Sequence, residues 1–252
     1  MSRFSRDICI MKILALDSSG LVASVAIVTE NAMLAEYTVN YKKTHSQTLL
    51  PMLNEIVKMA DINMEEIDAI AVAAGPGSFT GLRIGSATAK GLGLALNKPL
   101  IAVPTLEGLA YNLYGTKQLV CPLMDARRNQ VYTGIYEFTG KQLRVVKEQV
   151  AIAVEELIQE INEIGREVIF LGDGAEVYNE IIQAKMNAPY SFAPVHLSRQ
   201  RAGAVGALGI ELYKKEQIET AAMHEPIYLR VSQAERERAE KLQQQGEVKS
   251  LN

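Results

Sequence analysis

The chain has 252 residues, 48% of them hydrophobic and 22% charged, which is enough apolar material for one large or two modest cores. A net charge of −3, with Lys and Arg scattered rather than massed, weighs against independent high-affinity nucleic-acid binding, since such proteins concentrate basic surface. Cys9 and Cys121 form neither a metal spacing nor a disulfide framework, and neither a membrane-length apolar run nor a signal-type h-region is present, so a cytoplasmic protein is expected.

Residues 1–10 read as an N-terminal extension, either natural or the product of a misplaced start, because Met11 directly precedes the first strong strand. Lys12–Asp17 reads as that strand, Ser18-Ser19-Gly20 as a turn, and Val22–Val28 and Ala32–Val39 as two more strands. A helix is expected over Ser46–Asp61, capped by Thr44, Ser46 or Thr48, with Pro51 either in its first turn or at a kink. A buried strand over Ile67–Ala74, a glycine loop, a helix over Ile84–Leu96 and a short strand over Leu100–Val103 complete the first half. The second half repeats the order: strands over Leu119–Asp125, Val131–Phe138 and Gln142–Val150, a helix over Val154–Gly165, a strand over Val168–Leu171, the loop Gly172-Asp173-Gly174, and a helix over Ala175–Met186. A helix near Ala204–Lys215 and the stretch Pro226–Arg230 follow. Residues 231–252 hold almost nothing to bury and read as a polar tail.

The most informative stretch is Gly75-Pro76-Gly77-Ser78-Phe79-Thr80-Gly81-Leu82-Arg83, between a predicted strand and a predicted helix. Such a loop aims backbone N–H groups outward at the positive end of a helix dipole. Its spacing, G-x-G-x-x-x-G, is neither the dinucleotide fingerprint nor the P-loop, which adds Lys and Ser/Thr after the last glycine. Two readings stand at this point: an anion site, or a tight turn that lets the helix lie close to the sheet.

That nonamer resembles the signature of the bacterial TsaB (YeaZ) family. Ile13-Leu14-Ala15-Leu16-Asp17-Ser18-Ser19, His45-Ser46, Asp125-Ala126-Arg127 and Pro226-Ile227-Tyr228-Leu229-Arg230 match the family in the same order, covering most of the chain. The resemblance implies an α/β fold of two ribonuclease-H-like domains in the actin/sugar-kinase/Hsp70 superfamily, here 11–105 and 106–230. It implies no independent catalytic activity and no cofactor. The expected role is an accessory subunit in making threonylcarbamoyladenosine in tRNA, stabilising a TsaD-like catalytic subunit and docking a TsaE-like ATPase. A homodimer is an expected form when the chain is alone, and tRNA contact is expected only through the complex.

Asp17, Ser18 and Ser19, with Gly75, Gly77, Ser78 and Thr80, occupy the positions where ATP-using members of that superfamily hold phosphates. They read either as vestigial phosphate loops or as ordinary turns. His45 has Leu49 four residues on, where the catalytic relative has a second metal-binding histidine, so no metal site is expected. No histidine neighbours either cysteine, which leaves a peptidase without support. Asp125-Ala126-Arg127-Arg128 reads either as a basic binding site or as a solvated turn with a local ion pair. An ATP-dependent small-molecule kinase on the same fold is the main rival reading, and a metallopeptidase the second.

Two helices suggest partners. Leu49, Met52, Leu53, Ile56 and Met59 belong to an apolar surface covering half the circumference of the first helix, where a core-facing helix needs a stripe nearer 100°. Gly81, Gly85, Ala89 and Gly93 recur every fourth residue in the second. Interior glycines cost about 1 kcal/mol each relative to Ala, so a close approach must compensate. Both faces are expected to meet another chain.

Overall fold

The computed structural model describes residues 10–41 and 44–230. The extension up to Cys9 and the tail from residue 231 therefore lie outside the described residues. Two five-stranded mixed sheets organise the chain. In the first, β1 (Lys12–Asp17), β2 (Val22–Thr29), β3 (Met33–Asn40), β4 (Ala69–Gly75) and β5 (Leu100–Pro104) lie in the order β3-β2-β1-β4-β5. The β1–β2 and β2–β3 pairs are antiparallel; β1–β4 and β4–β5 are parallel. In the second, β6 (Leu119–Asp125), β7 (Gln130–Thr139), β8 (Gln142–Ala153), β9 (Val168–Leu171) and β10 (Tyr190–Phe192) repeat this as β8-β7-β6-β9-β10, with the same senses. Both sheets thus have the ribonuclease-H-like arrangement. β1 and β4 are buried along nearly their whole length, as strands covered on both faces must be.

Among the described residues seven α-helices cover these sheets: α1 (His45–Met59), α2 (Phe79–Leu96), α3 (Thr105–Ala110), α4 (Val154–Ile164), α5 (Asp173–Val177), α6 (Asn179–Lys185) and α7 (Ala202–Lys214). α1 keeps Pro51 in its body, where the ring removes the hydrogen bond to the Gln47 carbonyl. α2 begins five residues before the predicted start, because the Ser78 side chain caps it by accepting from the Gly81 N–H. The single predicted helix over Ala175–Met186 is two. Tyr178 leaves helical geometry between α5 and α6 and buries its ring, and its hydroxyl donates to Asp125 Oδ1 at 2.9 Å. α3 and β10 were not expected from the sequence. Among the described residues no helix is long and apolar enough to cross a membrane.

The division at residue 105/106, with everything up to 230 in the second unit, needs correction. α7 returns to the first sheet and fills its open face, packing Ala202, Val205, Leu208 and Ile210 against Ile13, Ala15, Val28, Ala71 and Ile101. Its small residues allow that approach: a Cβ on Gly206 would meet Val28 and Ala15, and one on Gly209 would meet Ala71. α1 and α2 cover the opposite face. Residues 219–230, with a turn at 221–223, then run as a strap along the first half and end on the second. Glu219 exchanges two backbone hydrogen bonds with Leu100, both 2.9 Å, and Ile227 N–H donates to the Ala74 carbonyl at 2.7 Å. Arg230 Nη1 reaches the Ala126 carbonyl at 2.7 Å.

Candidate functional site

The loop after β1 and the glycine loop after β4 meet at the carboxyl ends of their strands, where open α/β sheets place ligands. Here the loops grip each other. Ser78 N–H donates to the Ser19 carbonyl at 2.6 Å, and Ser18 Oγ donates to the Gly81 carbonyl at 2.9 Å. Asp17 Oδ1 accepts from both the N–H and the hydroxyl of Ser19, at 2.9 and 2.6 Å. A Cβ at Gly77 would strike the Ser19 carbonyl, and one at Gly81 the Ser18 carbonyl. Glycine at these two positions is therefore a close-approach requirement between backbones. Of the seven residues read as phosphate loops, only Thr80 and Ser78 are exposed, and the Ser78 side chain serves as the cap of α2.

Asp17 is 1% exposed, and burial raises its carboxyl to about 6, against the lowering effect of the Ser19 hydrogen bonds and of His45. Its folded pKa lies above its unfolded value of 3.8. Its contribution to stability is therefore full below that value and is lost as pH rises through about 6. Asp17→Asn keeps both accepted hydrogen bonds but carries no charge. Its advantage over the native chain in chemical denaturation should grow by about 3 kcal/mol between pH 4 and pH 7. Parallel stability curves for the two proteins would contradict this.

The second half repeats the device. The Gly172-Asp173-Gly174 loop presses on the Leu123 backbone, and Asp125 Oδ1 accepts from the Arg127 N–H at 2.9 Å. Burial also raises the Asp173 carboxyl above its usual range. Arg127 pairs with Asp125 at 3.4 Å, the local ion pair expected of a turn, while Arg128 points to solvent. His45 Nε2 donates to the Gly20 carbonyl at 2.8 Å and packs against the loop after β1. Among the described residues no three of His, Cys, Asp and Glu converge as a metal set. Cys121 is fully buried beside Thr133, and burial pushes its thiol up to about 12.

Most of the residues expected to face a partner chain instead face this one. Leu49, Met52, Leu53 and Ile56 are buried in the core with β2 and β4. Gly85 lies against Ser18, Gly93 against Leu100 and Ala221, and Ala89 is fully buried. The close approach that the glycines demanded is thus intramolecular. Met59 alone of those residues with side chains is open, at 79% exposure, and Leu50 joins it. The far side of α2 shows Ala87, Gly91, Leu94 and Ala95, with nothing within 4 Å of a Cβ at Gly91.

A buried relay went unnoticed in the sequence, two of its members being 138 positions apart. Glu219 Oε1 accepts from His224 Nδ1 at 2.6 Å, and His224 Nε2 then accepts from Ser86 Oγ at 2.9 Å. Serine, imidazole and carboxylate follow each other as in a hydrolase. Ser86, however, is 4% exposed in the body of α2, so the relay ties the strap to the helix.

Comparison with known proteins decides the family. The sequence model of TsaD, described as tRNA N6-adenosine threonylcarbamoyltransferase, matches residues 32–238. The tRNA threonylcarbamoyladenosine biosynthesis protein TsaB of Bacillus subtilis is 33% identical over 227 residues, covering 89% of this chain and 96% of that protein. The chain belongs to the TsaB family. The TsaB of Escherichia coli is 30% identical over 68% of this chain and 75% of its own length. The solved structure of YeaZ from Pseudomonas aeruginosa superposes with a TM-score of 0.74 at 28% identity, covering 87% of this chain and all of that one. The fold is thus that of TsaB (YeaZ), two units of ribonuclease-H-like strand order.

Proposed function

We propose that this TsaB-family chain is a non-catalytic subunit in tRNA threonylcarbamoyladenosine biosynthesis, stabilising a TsaD-type transferase and offering a surface to a TsaE-type ATPase in the cytoplasm. The observation that carries the reading is the closure of the two loops at the head of the first sheet. Phosphoryl chemistry on this fold needs backbone N–H groups and hydroxyls turned toward phosphate oxygens. Here the Ser78 N–H and the hydroxyls of Ser18 and Ser19 are already spent on the protein, which weighs against a kinase.

A subunit without its own chemistry acts through its surface. The apolar groups left outside on α1 and α2, namely Leu50, Met59, Ala87, Gly91 and Leu94, are the docking face in this reading. Gly91 supports it: a glycine in the body of an exposed helix costs about 1 kcal/mol and meets nothing within its own chain.

Depletion of the protein in its host should lower threonylcarbamoyladenosine in bulk tRNA, measured by mass spectrometry of digested nucleosides. Unchanged levels would sink the proposal. Phosphorylation of a small molecule by the isolated chain would favour the kinase instead.

A further inference from the structure

Eight arginines fall within the described residues, and five of them have a carboxylate partner. Arg127 pairs with Asp125, Arg144 and Arg166 share Glu137, Arg199 takes Glu176, and Arg201 takes Glu36. Arg83, Arg128 and Arg230 have none among the described residues. Contacts run from Arg83 to Tyr228 and from Arg230 to Ala126, two residues before Arg128. The Arg83 guanidinium lies 3.9 Å over the Phe79 ring, and its Nε is 3.4 Å from the Tyr228 hydroxyl. The Phe79 and Tyr228 rings stack with centroids 4.8 Å apart. Two residues further along the strap, Arg230 holds the Ala126 carbonyl, which adjoins Arg127-Arg128.

The chemistry of this face is specific. A guanidinium laid on an aromatic ring and not used by a carboxylate keeps its N–H edge free for a planar, bidentate acceptor. A phosphate, though tetrahedral, offers two of its oxygens to that edge in the same bidentate way. Tyr228, 40% exposed between Arg83 and Arg230, adds a ring edge against which an unpaired base or ribose can rest. Arg127, Arg128 and Asn129 stand in succession at φ +65°, +56° and +55°, a conformation bulky L-residues rarely adopt, and all three are exposed. Two arginines are thereby presented to solvent in a turn that glycine would make more easily. Among the described residues the carboxylate nearest Arg128 in sequence is Asp125, committed to Arg127 and Tyr178, and the one nearest Arg230 is Glu225 on the strap.

We infer that Arg83, Arg128 and Arg230, around the Phe79–Tyr228 pair, form a phosphate-contacting face that supports the tRNA once the transferase has engaged it. The inference rests on the function proposed above and adds a role in substrate contact. Three phosphate contacts alone predict weak RNA binding by the free chain, since each contributes only about 0.7–0.9 to the log–log salt slope.

The experiment measures tRNA affinity against salt for the full chain, alone at low ionic strength and in complex with its transferase. Arg83→Glu combined with Arg128→Glu should weaken binding about tenfold or more and lower the slope by about two. Arg128→Gly, which suits the left-handed turn, should lower the slope by about one while melting unchanged or later. Native affinity and slope in these variants would overturn the inference, and so would loss of transferase binding in place of tRNA binding, which would mark a protein-docking face. The low-salt arm needs no partner. Its failure is therefore separate from normal nucleoside levels after depletion, which would strike the functional reading itself.

Discussion

Gly85→Leu is expected to destabilise the fold itself by several kcal/mol, not merely an assembly. A Cβ at residue 85 would sit 2.5 Å from Ser18 Oγ and 3.6 Å from Val72. The Ser18 hydroxyl cannot move aside without losing its bond to the Gly81 carbonyl. Overpacking of this kind costs about 1–3 kcal/mol, and a stranded buried hydroxyl and carbonyl cost a further ~1–3 kcal/mol. Against a typical stability of about 5–15 kcal/mol, that is a large share. Thermal melts and soluble yield check the claim, with Gly85→Ala as an intermediate case. A variant that melts like the native protein yet no longer binds its partner would return this stripe to an interface.

Gly91→Leu should do the reverse. The position lies across α2 from the buried stripe, so the added side chain meets only solvent in the free chain. Replacing an exposed helical glycine with leucine should raise stability by about 0.7 kcal/mol. Partner affinity should fall at least 30-fold, because a bulky group at a close helix contact separates the surfaces and a central contact is worth about 2 kcal/mol or more. Leu94→Asp should weaken binding to a similar degree by placing a charge in an apolar contact. Titration of the transferase against each variant, beside its melting curve, separates the two effects. Unaltered affinity in both would remove α2 from the docking face.

What was legible in the sequence follows from which forces act locally. β1 and β4 announce themselves because strands covered on both faces must be apolar throughout. The buried stripe of α1, Leu49-Met52-Leu53-Ile56, is the i, i+3, i+4, i+7 pattern of a core helix. The error lay in assigning that stripe to a partner, since Leu50 and Met59 were the residues left over. The glycines of α2 correctly demanded a close neighbour, but helical periodicity does not say which element the neighbour is. Ser78 is an N-cap residue type that places the start of α2, and it was hidden inside a loop read for its glycines. The break at Tyr178 and the Ser86–His224–Glu219 relay depend on distant partners and leave no local trace. For α7, Gly203, Gly206 and Gly209 at every third position were an available sign of tight seating on a sheet.

The return of α7 and the strap to the first sheet has a consequence for synthesis. Strands β1 to β5 leave the ribosome early, yet the face that carries Ile13, Ala15, Val28 and Ile101 stays open until residues 202–210 have been made. The second sheet has no such debt to later sequence, since its strands and α4, α5 and α6 lie between Leu119 and Phe192. Chains made past Phe192 but not yet through α7 should therefore carry a protected second unit beside an N-terminal sheet with one apolar side bare, a species prone to sticking to its neighbours. The half that is made first is the half that is finished last.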